Sequence, residues 1–365
     1  MNEITEQYKE KYFKPINEQI ADYLRNEILE GKIRPDERML PVNQLAERYG
    51  VSLVTMQKAM VKLTEEGLIV RFPGKGTFVA PVNFKAEAGT MGIFMSALGE
   101  NIQISPLTSP SHYEILTGIE KYCHDNEFSL KILHKGIRKF DAWSLNSLHI
   151  SGMIVVTPQE SAYNILSEIK ASGIPTVSIN LHAPEMREKY YCVNADFYNA
   201  GKEAVNYLYG KGKRKIAFAS CYTMSPDIHP WHIMEGYKAE TGKFSLKQRS
   251  FIYHEDLRYS PGKSDAALSE IVDFNAVDSI ITTNQYEAAA IVKLAETRGL
   301  RIPEDISLIG FFDTKETTEN NITTFRIPQS EMGYKSAEKL HRVVEGKKCE
   351  KCSFVKPKLI IRKTA

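Results

Sequence analysis

Apolar residues in the first 80 positions recur at three- and four-residue steps in three blocks and then give way to two short β-type runs. Ile16, Ile20, Tyr23, Leu24 and Ile28 share one face of a helix predicted over 14–30, which Gly31 would stop. A second helix carries Leu45 and Ala46 and ends at Gly50, a residue suited to the left-handed cap. Ser52 can cap a third helix, in which Met56, Ala59, Met60 and Leu63 form one apolar stripe. Runs at 68–72 and 76–79 flank Pro73, Gly74 and Lys75 and read as a β-hairpin.

The third helix therefore buries one stripe and leaves Leu53, Gln57, Lys58 and Lys62 on the other. A helix of that kind can lie in the major groove of DNA with its first turn against base edges. The expected roles are base reading by Leu53, Gln57 and Lys58, and phosphate contact by Ser52, Thr55 and Lys75. Gly74 and Gly76 would allow close backbone approach at the hairpin tip.

Residues 81–90 have no clear period, contain Pro and Gly, and are expected to be a linker. From Met91 the pattern changes to short apolar runs alternating with amphipathic segments. Strands are predicted at 91–96, 128–133, 152–157, 175–180, 191–193, 215–220, 249–253, 279–283 and 306–311. Helices are predicted at 112–126, 160–172, 197–211, 231–241, 263–273, 286–298 and 330–345. Such alternation means βαβ units, and continuous Ile/Val/Phe runs mean parallel strands covered on both faces. Roughly 275 residues exceed one comfortable doubly wound domain, so two lobes with a cleft at the carboxyl ends of the strands are expected.

Charge changes the picture in one place. The 365 residues carry a net charge of only +2, and residues 1–80 hold 12 basic and 12 acidic side chains. From Arg48 to Lys75, however, five basic residues face two acidic ones, which implies modest non-specific DNA affinity and a homodimer that sums two weak patches. The polar, acidic start of the chain and the absence of a membrane-length apolar run imply a cytoplasmic protein with no membrane partner. Cys349 and Cys352 form a lone C-x-x-C, for which Cys123, Cys192 and Cys221 offer no second pair, so no metal is expected. No G-x-G-x-x-G follows the first body strand, and P-loop, G-x-S-x-G and H-E-x-x-H patterns are missing, so neither catalysis nor a cofactor is expected.

Several motifs in the first fifth of the chain carry a resemblance: Leu40-Pro41, Leu45-Ala46, Gly50-Val51-Ser52, Glu66-Gly67-Leu68 and Gly74-Lys75-Gly76-Thr77-Phe78-Val79. The stretch resembles the winged helix-turn-helix domain of GntR-family transcription regulators. Leu53 and Gln57 stand where that family usually has arginine. Leu53 can pack on a thymine methyl and Gln57 can pair with adenine, which predicts an A·T-leaning operator.

Residues 91–365 resemble the effector domain of LacI/GalR-type repressors, itself akin to periplasmic sugar-binding proteins. Gly118-Ile119-Glu120, Glu235-Gly236-Tyr237, Thr323–Gly333 and above all Ile302-Pro303-Glu304-Asp305-Ile306-Ser307 carry that likeness. The combination is that of arabinose-repressor-like regulators. It implies an α/β fold: a winged helix-turn-helix over 1–80, the linker, and a two-lobed periplasmic-binding-protein-like domain with parallel sheets over 91–365, also the dimerisation domain. It further implies a repressor of a catabolic operon, bound to double-stranded operator DNA and controlled by a small polar effector, most simply a sugar or sugar derivative; a non-sugar ligand or an unresponsive cleft is the alternative. Ligand-site candidates by this likeness are Ser96, His112, Tyr113, Asn180, Trp231, Asn284, Gln285, Phe312 and Asp313. Ile233, Gln285 and Phe312 replace charged groups of the family, which leaves a site built from amides and aromatic rings.

Overall fold

The computed structural model describes residues 15–29, 32–34, 37–66, 68–80, 89–95, 110–133, 150–156, 163–221, 224–253 and 261–365. In the head, helix α1 (Ile16–Leu29), α2 (Val42–Arg48) and α3 (Leu53–Glu65) precede a hairpin of β1 (Ile69–Phe72) and β2 (Gly76–Val79). Its core is local: Ala21, Leu24 and Ile28 of α1 meet Leu45, Met56, Ala59, Leu63 and Ile69. Two members of the expected α1 stripe are not in that core. Ile16 and Tyr23 are exposed, because Ala21 rather than Tyr23 completes the buried face with Leu24 and Ile28. The Tyr23 ring instead sits edge-on to Tyr49, centroids 5.5 Å apart. Arg25 ties α1 to the end of α3, its Nε and Nη2 donating to the Glu66 carboxylate at 2.9 and 2.7 Å. Gly31 and linker residues 81–88 lie outside the described residues; Thr90, expected in the linker, opens the first body strand.

The body holds two six-stranded sheets. In the first lobe the order is β13 (Cys352–Val355), β7 (Tyr191–Ala195), β6 (Thr176–Ile179), β5 (Gly152–Val156), β3 (Thr90–Met95) and β4 (Ser129–Leu133), all parallel. In the second the order is β14 (Lys358–Ile360), β12 (Thr323–Arg326), β11 (Ser307–Phe311), β10 (Ser279–Thr282), β8 (Ile216–Ser220) and β9 (Arg249–Ile252), with β14 alone antiparallel. Strands such as β5, β8 and β11 are buried at every position, as their unbroken apolar runs require when helices cover both faces. Each of the nine expected strands is present within a few residues of its predicted bounds. Strands β12 to β14 and the short helix α6 (Pro184–Lys189) escaped the pattern, because Thr-rich and Lys-interrupted segments of three to six residues give no period.

The chain passes between the lobes three times: from β7 into helix α7 (Phe197–Gly210), from β12 into α12 (Gln329–Val344), and from β13 to β14. In the first lobe α4 (Pro110–Asp125) crosses α12, and in the second α7 crosses α8 (His229–Lys243), each pair through reciprocal glycines. A Cβ on Gly118 would stand 1.9 Å from the Ser330 carbonyl oxygen and one on Gly333 2.1 Å from that of Ile115. The other crossing repeats this, with Gly236 at 2.0 Å from the Tyr198 oxygen and Gly201 at 2.3 Å from that of Ile233. The remaining helices are α5 (Tyr163–Ala171), α9 (Pro261–Ile271), α10 (Gln285–Thr297) and α11 (Lys315–Glu319).

Candidate functional site

The head presents a built surface. Gly50 adopts a φ of +62°, and Ser52 Oγ caps α3 by accepting from the Thr55 amide at 3.1 Å. The Ser52 and Thr55 hydroxyls are themselves 2.7 Å apart, so the two expected phosphate contacts form one polar pair at the start of the helix. Met56, Ala59, Met60 and Leu63 are buried, while Leu53 is 48% and Val54 60% exposed, and Gln57 and Lys58 point outward with them. Lys62 does not belong to this free stripe: its Nζ pairs with Glu18 at 3.4 Å, which holds it toward α1.

The hairpin runs in antiparallel register from Ile69 opposite Val79 to Phe72 opposite Gly76, which puts Lys75 at its exposed tip. A neighbouring residue that periodicity did not reveal is Arg38. It forms an isolated antiparallel bridge with Phe78, and its guanidinium lies over Gly76, where an added Cβ would stand 2.8 Å from Arg38 Nε. Gly76, at φ +116°, thus makes room for a second cation beside Lys75.

In the body, aromatic and imidazole rings of both lobes converge just beyond the carboxyl ends of β6, β7 and β11. Phe197 lies 5.0 Å from the His229 ring and 6.2 Å from Phe312, and His229 is 5.2 Å from Phe312. His182 joins them, 5.7 Å from Phe197 and 5.5 Å from His232, whose far side meets Trp231 at 5.0 Å. Burial drives the His182 pKa well below 6.5, assisted by the neighbouring His229 and His232, and lowers that of His232, so the rings are neutral near pH 7. Phe312 takes a left-handed φ of +69°, rare for a bulky side chain, fixed by its amide donating to the Phe325 carbonyl at 2.9 Å. Asn180, at the end of β6, has a φ of +60°.

The other expected ligand residues fall into different situations. Asn284 caps α10, its Oδ1 accepting from the Tyr286 and Glu287 amides at 2.9 Å each, which leaves only its Nδ2 to donate to a ligand. Gln285 and His112 are half-buried and Tyr113 is exposed on the first turn of α4. Asp313 is closed off: Arg326 holds one carboxylate oxygen and Arg362 the other, at 2.6 Å. Ser96 lies outside the described residues. Sequence periodicity missed His182, Phe197 and His229, which reach the site only because distant strand ends converge there. It also missed Glu287, a buried carboxylate that accepts from the Cys221 amide at 2.7 Å and from the Thr283 amide and hydroxyl at 2.8 and 2.7 Å. Burial raises its pKa, those donors oppose the rise, and the loops after β8 and β10 are joined through it.

Comparison with known proteins matches both halves. Residues 16–79 match the bacterial regulatory proteins of the gntR family, and residues 205–365 match the periplasmic binding protein-like domain. The chain is a transcription regulator that joins a gntR-family head to a periplasmic binding protein-like body. It is 22% identical over 359 residues, 94% of this chain and 96% of the other, to the arabinose metabolism transcriptional repressor of Geobacillus stearothermophilus. Among solved structures, a LacI-type transcriptional regulator from Bacillus cereus subsp. cytotoxis superposes with a TM-score of 0.62 at 20% identity, over 76% of this chain and 98% of that one. A complex of the transcriptional regulator CelR with cellobiose superposes with a TM-score of 0.59 at 18% identity, over 90% and 100%. These relatives are named as transcription regulators and repressors. Among the described residues no helix of the regulator is long and apolar enough to cross a membrane, and no group of His, Cys, Asp and Glu is arranged to hold a metal ion.

Proposed function

We propose that the regulator is a cytoplasmic homodimer that represses a catabolic operon by binding a two-fold symmetric, A·T-leaning operator, and that an uncharged polar ligand, a sugar or sugar derivative, bound between the lobes controls it. The observation that carries the reading is the outward stripe of α3, where Leu53, Gln57 and Lys58 stand free of the buried face beside Lys75 and Arg38 of the hairpin. In this reading Leu53, Gln57 and Lys58 meet base edges, while Ser52, Thr55, Lys75 and Arg38 hold phosphates.

The ligand class follows from what lines the strand ends. Phe312 and Trp231, both half-buried, offer ring faces to the apolar side of a sugar, and Asn180, Asn284 and Gln285 offer amides to its hydroxyls. The Asp313 carboxylate is neutralised by two arginines, and burial keeps His182 and His232 uncharged near pH 7. Cellobiose in the structurally similar CelR complex is of this class.

The test is enrichment of random duplex DNA on the purified chain, followed by titration of the selected site across salt and against a panel of neutral sugars. An inverted repeat, an affinity that falls steeply with salt, and a change on adding one sugar are expected. Failure to enrich any site would refute the DNA reading. Operator binding that no sugar alters would refute the ligand class alone.

A further inference from the structure

The C-x-x-C at Cys349 and Cys352 has its partner elsewhere in the sequence. Strand β13 lies beside β7 in parallel, and the register sets Cys352 directly opposite Cys192. Adjacent strands are about 4.8 Å apart, within the Cα separations that a disulfide spans. Asn194 Nδ2 donates to the Cys352 sulfur at 3.8 Å. Cys192 is fully buried and Cys352 half-buried on the edge strand of its sheet, so one sulfur is sheltered and the other can be reached.

From this geometry we infer that Cys352 and Cys192 are a redox-active dithiol, oxidised by hydroperoxides to a cross-strand disulfide that binds together two of the three strands leading between the lobes. Strands β7 and β13 each continue into a crossover, and they remain paired to its edge, the Asp196 amide donating to the Val355 carbonyl at 2.9 Å. A covalent tie at the 192–352 pair obliges the two crossovers to bend together. Lobe movement, and with it the response to a ligand in the proposed site, becomes sensitive to oxidant.

The chemistry balances without a metal. The Cys352 thiolate attacks one peroxide oxygen, the O–O bond breaks, and the departing hydroxide takes a proton, leaving a sulfenic acid and water. The Cys192 sulfur then attacks the Cys352 sulfur, the S–O bond breaks, and the second hydroxide leaves with the Cys192 proton as water. Two thiols are oxidised by two electrons and one peroxide is reduced to two waters. The surroundings favour the first step: the neighbouring Cys192 thiol, and then the charges of Arg187 and Lys339, hold the Cys352 thiol below its ordinary pKa despite its burial. Lys339, itself buried, donates to the Cys192 carbonyl at 3.0 Å and to that of Glu350 at 3.1 Å, fixing its charge beside the pair. Cys349 lines, together with Lys339, a groove of about 730 Å³.

The full-length protein, reduced and then exposed to hydrogen peroxide at a few equivalents, provides the test. Two of the five thiols are expected to disappear per chain, with a mass loss of two hydrogens and a peptide map joining residues 192 and 352. Hydrogen exchange should slow at the crossovers on oxidation and recover on reduction. Cys349→Ser should behave as the wild type, whereas Cys192→Ser should stop at a sulfenic acid that dimedone traps. A bond between Cys349 and Cys352, a disulfide between chains, or five thiols surviving treatment would each overturn the proposal, and the wild-type map decides this even if a variant fails to fold. A disulfide that leaves exchange at the crossovers unchanged would overturn its link to lobe movement. None of these outcomes depends on the proposed sugar or operator.

Discussion

Arg362 donates to Asp313 at 2.6 Å across 49 residues of sequence, and with Arg326 on the other oxygen it fixes the turn that leaves β11. The Asp313 carboxylate is 4% exposed, so its role is to hold the C-terminal residues and β12 against the strand end that presents Phe312. Asp313→Ala should destabilise the body by roughly 2–3 kcal/mol, since it strands the partly buried Arg362 charge. Arg326→Ala, at a side chain more than half exposed, should cost well under 1 kcal/mol. Urea unfolding of both variants tests this; equal losses would contradict the assignment.

The reciprocal glycines give a prediction with an internal control. Gly118→Ala and Gly236→Ala place a methyl against backbone carbonyls that cannot yield, and each should cost about 2–3 kcal/mol by forcing the helices apart. Gly242, in the last turn of α8, has nothing within 4 Å of the point where a methyl would stand, so Gly242→Ala should be neutral or stabilising by up to about 1 kcal/mol. Thermal unfolding orders the three.

The histidine cluster sets a pH dependence of known sign. His182 is neutral when folded and its pKa lies well below 6.5, whereas in the unfolded chain it titrates near 6.5. Above pH 6.5 both states are neutral and stability is unaffected. As pH falls below 6.5 the unfolded state alone binds the proton, and stability declines by about 1.4 kcal/mol per pH unit until the folded-state pKa is reached. His182→Phe should flatten the profile of unfolding midpoint against pH between 6.5 and 5, and an unchanged slope would locate the titrating group elsewhere.

On DNA, the two classes of contact separate by experiment. Lys75→Ala should weaken all sequences alike and lower the slope of log affinity against log salt by about 1. Gln57→Ala should lose about 1–3 kcal/mol at one base position and leave the salt slope intact. A base-selective loss for Lys75→Ala would move it from phosphate to base edge.

Local signals in this chain were readable because they are set by nearest neighbours. The Gly50 cap, the Ser52 cap, the stripe at Met56 to Leu63 and the body strands each depend on a few adjacent residues, and each stands where the pattern placed it. The same reasoning could not place Lys62, whose direction is decided by Glu18, or see that Asp313 is held by residues 13 and 49 positions away. Nor could it pair Cys352 with Cys192, because β13 and β14 are only four and three residues long and give no period. His182, Phe197 and His229 belong to three different chain segments, and only the closing of both sheets brings their rings together.

The late position of β13 and β14 has a consequence for synthesis on the ribosome. Among the described residues, the buried core of the head lies between 21 and 79, so the head can fold as soon as it emerges. Neither body sheet can gain its sixth strand until residues 352–360 are translated, and α12 of the first lobe is made only after five of the second lobe's six strands. A nascent chain therefore carries a folded head long before either lobe of its body is complete, and a ribosome stalled in the last few dozen codons would leave both lobes unfinished at once.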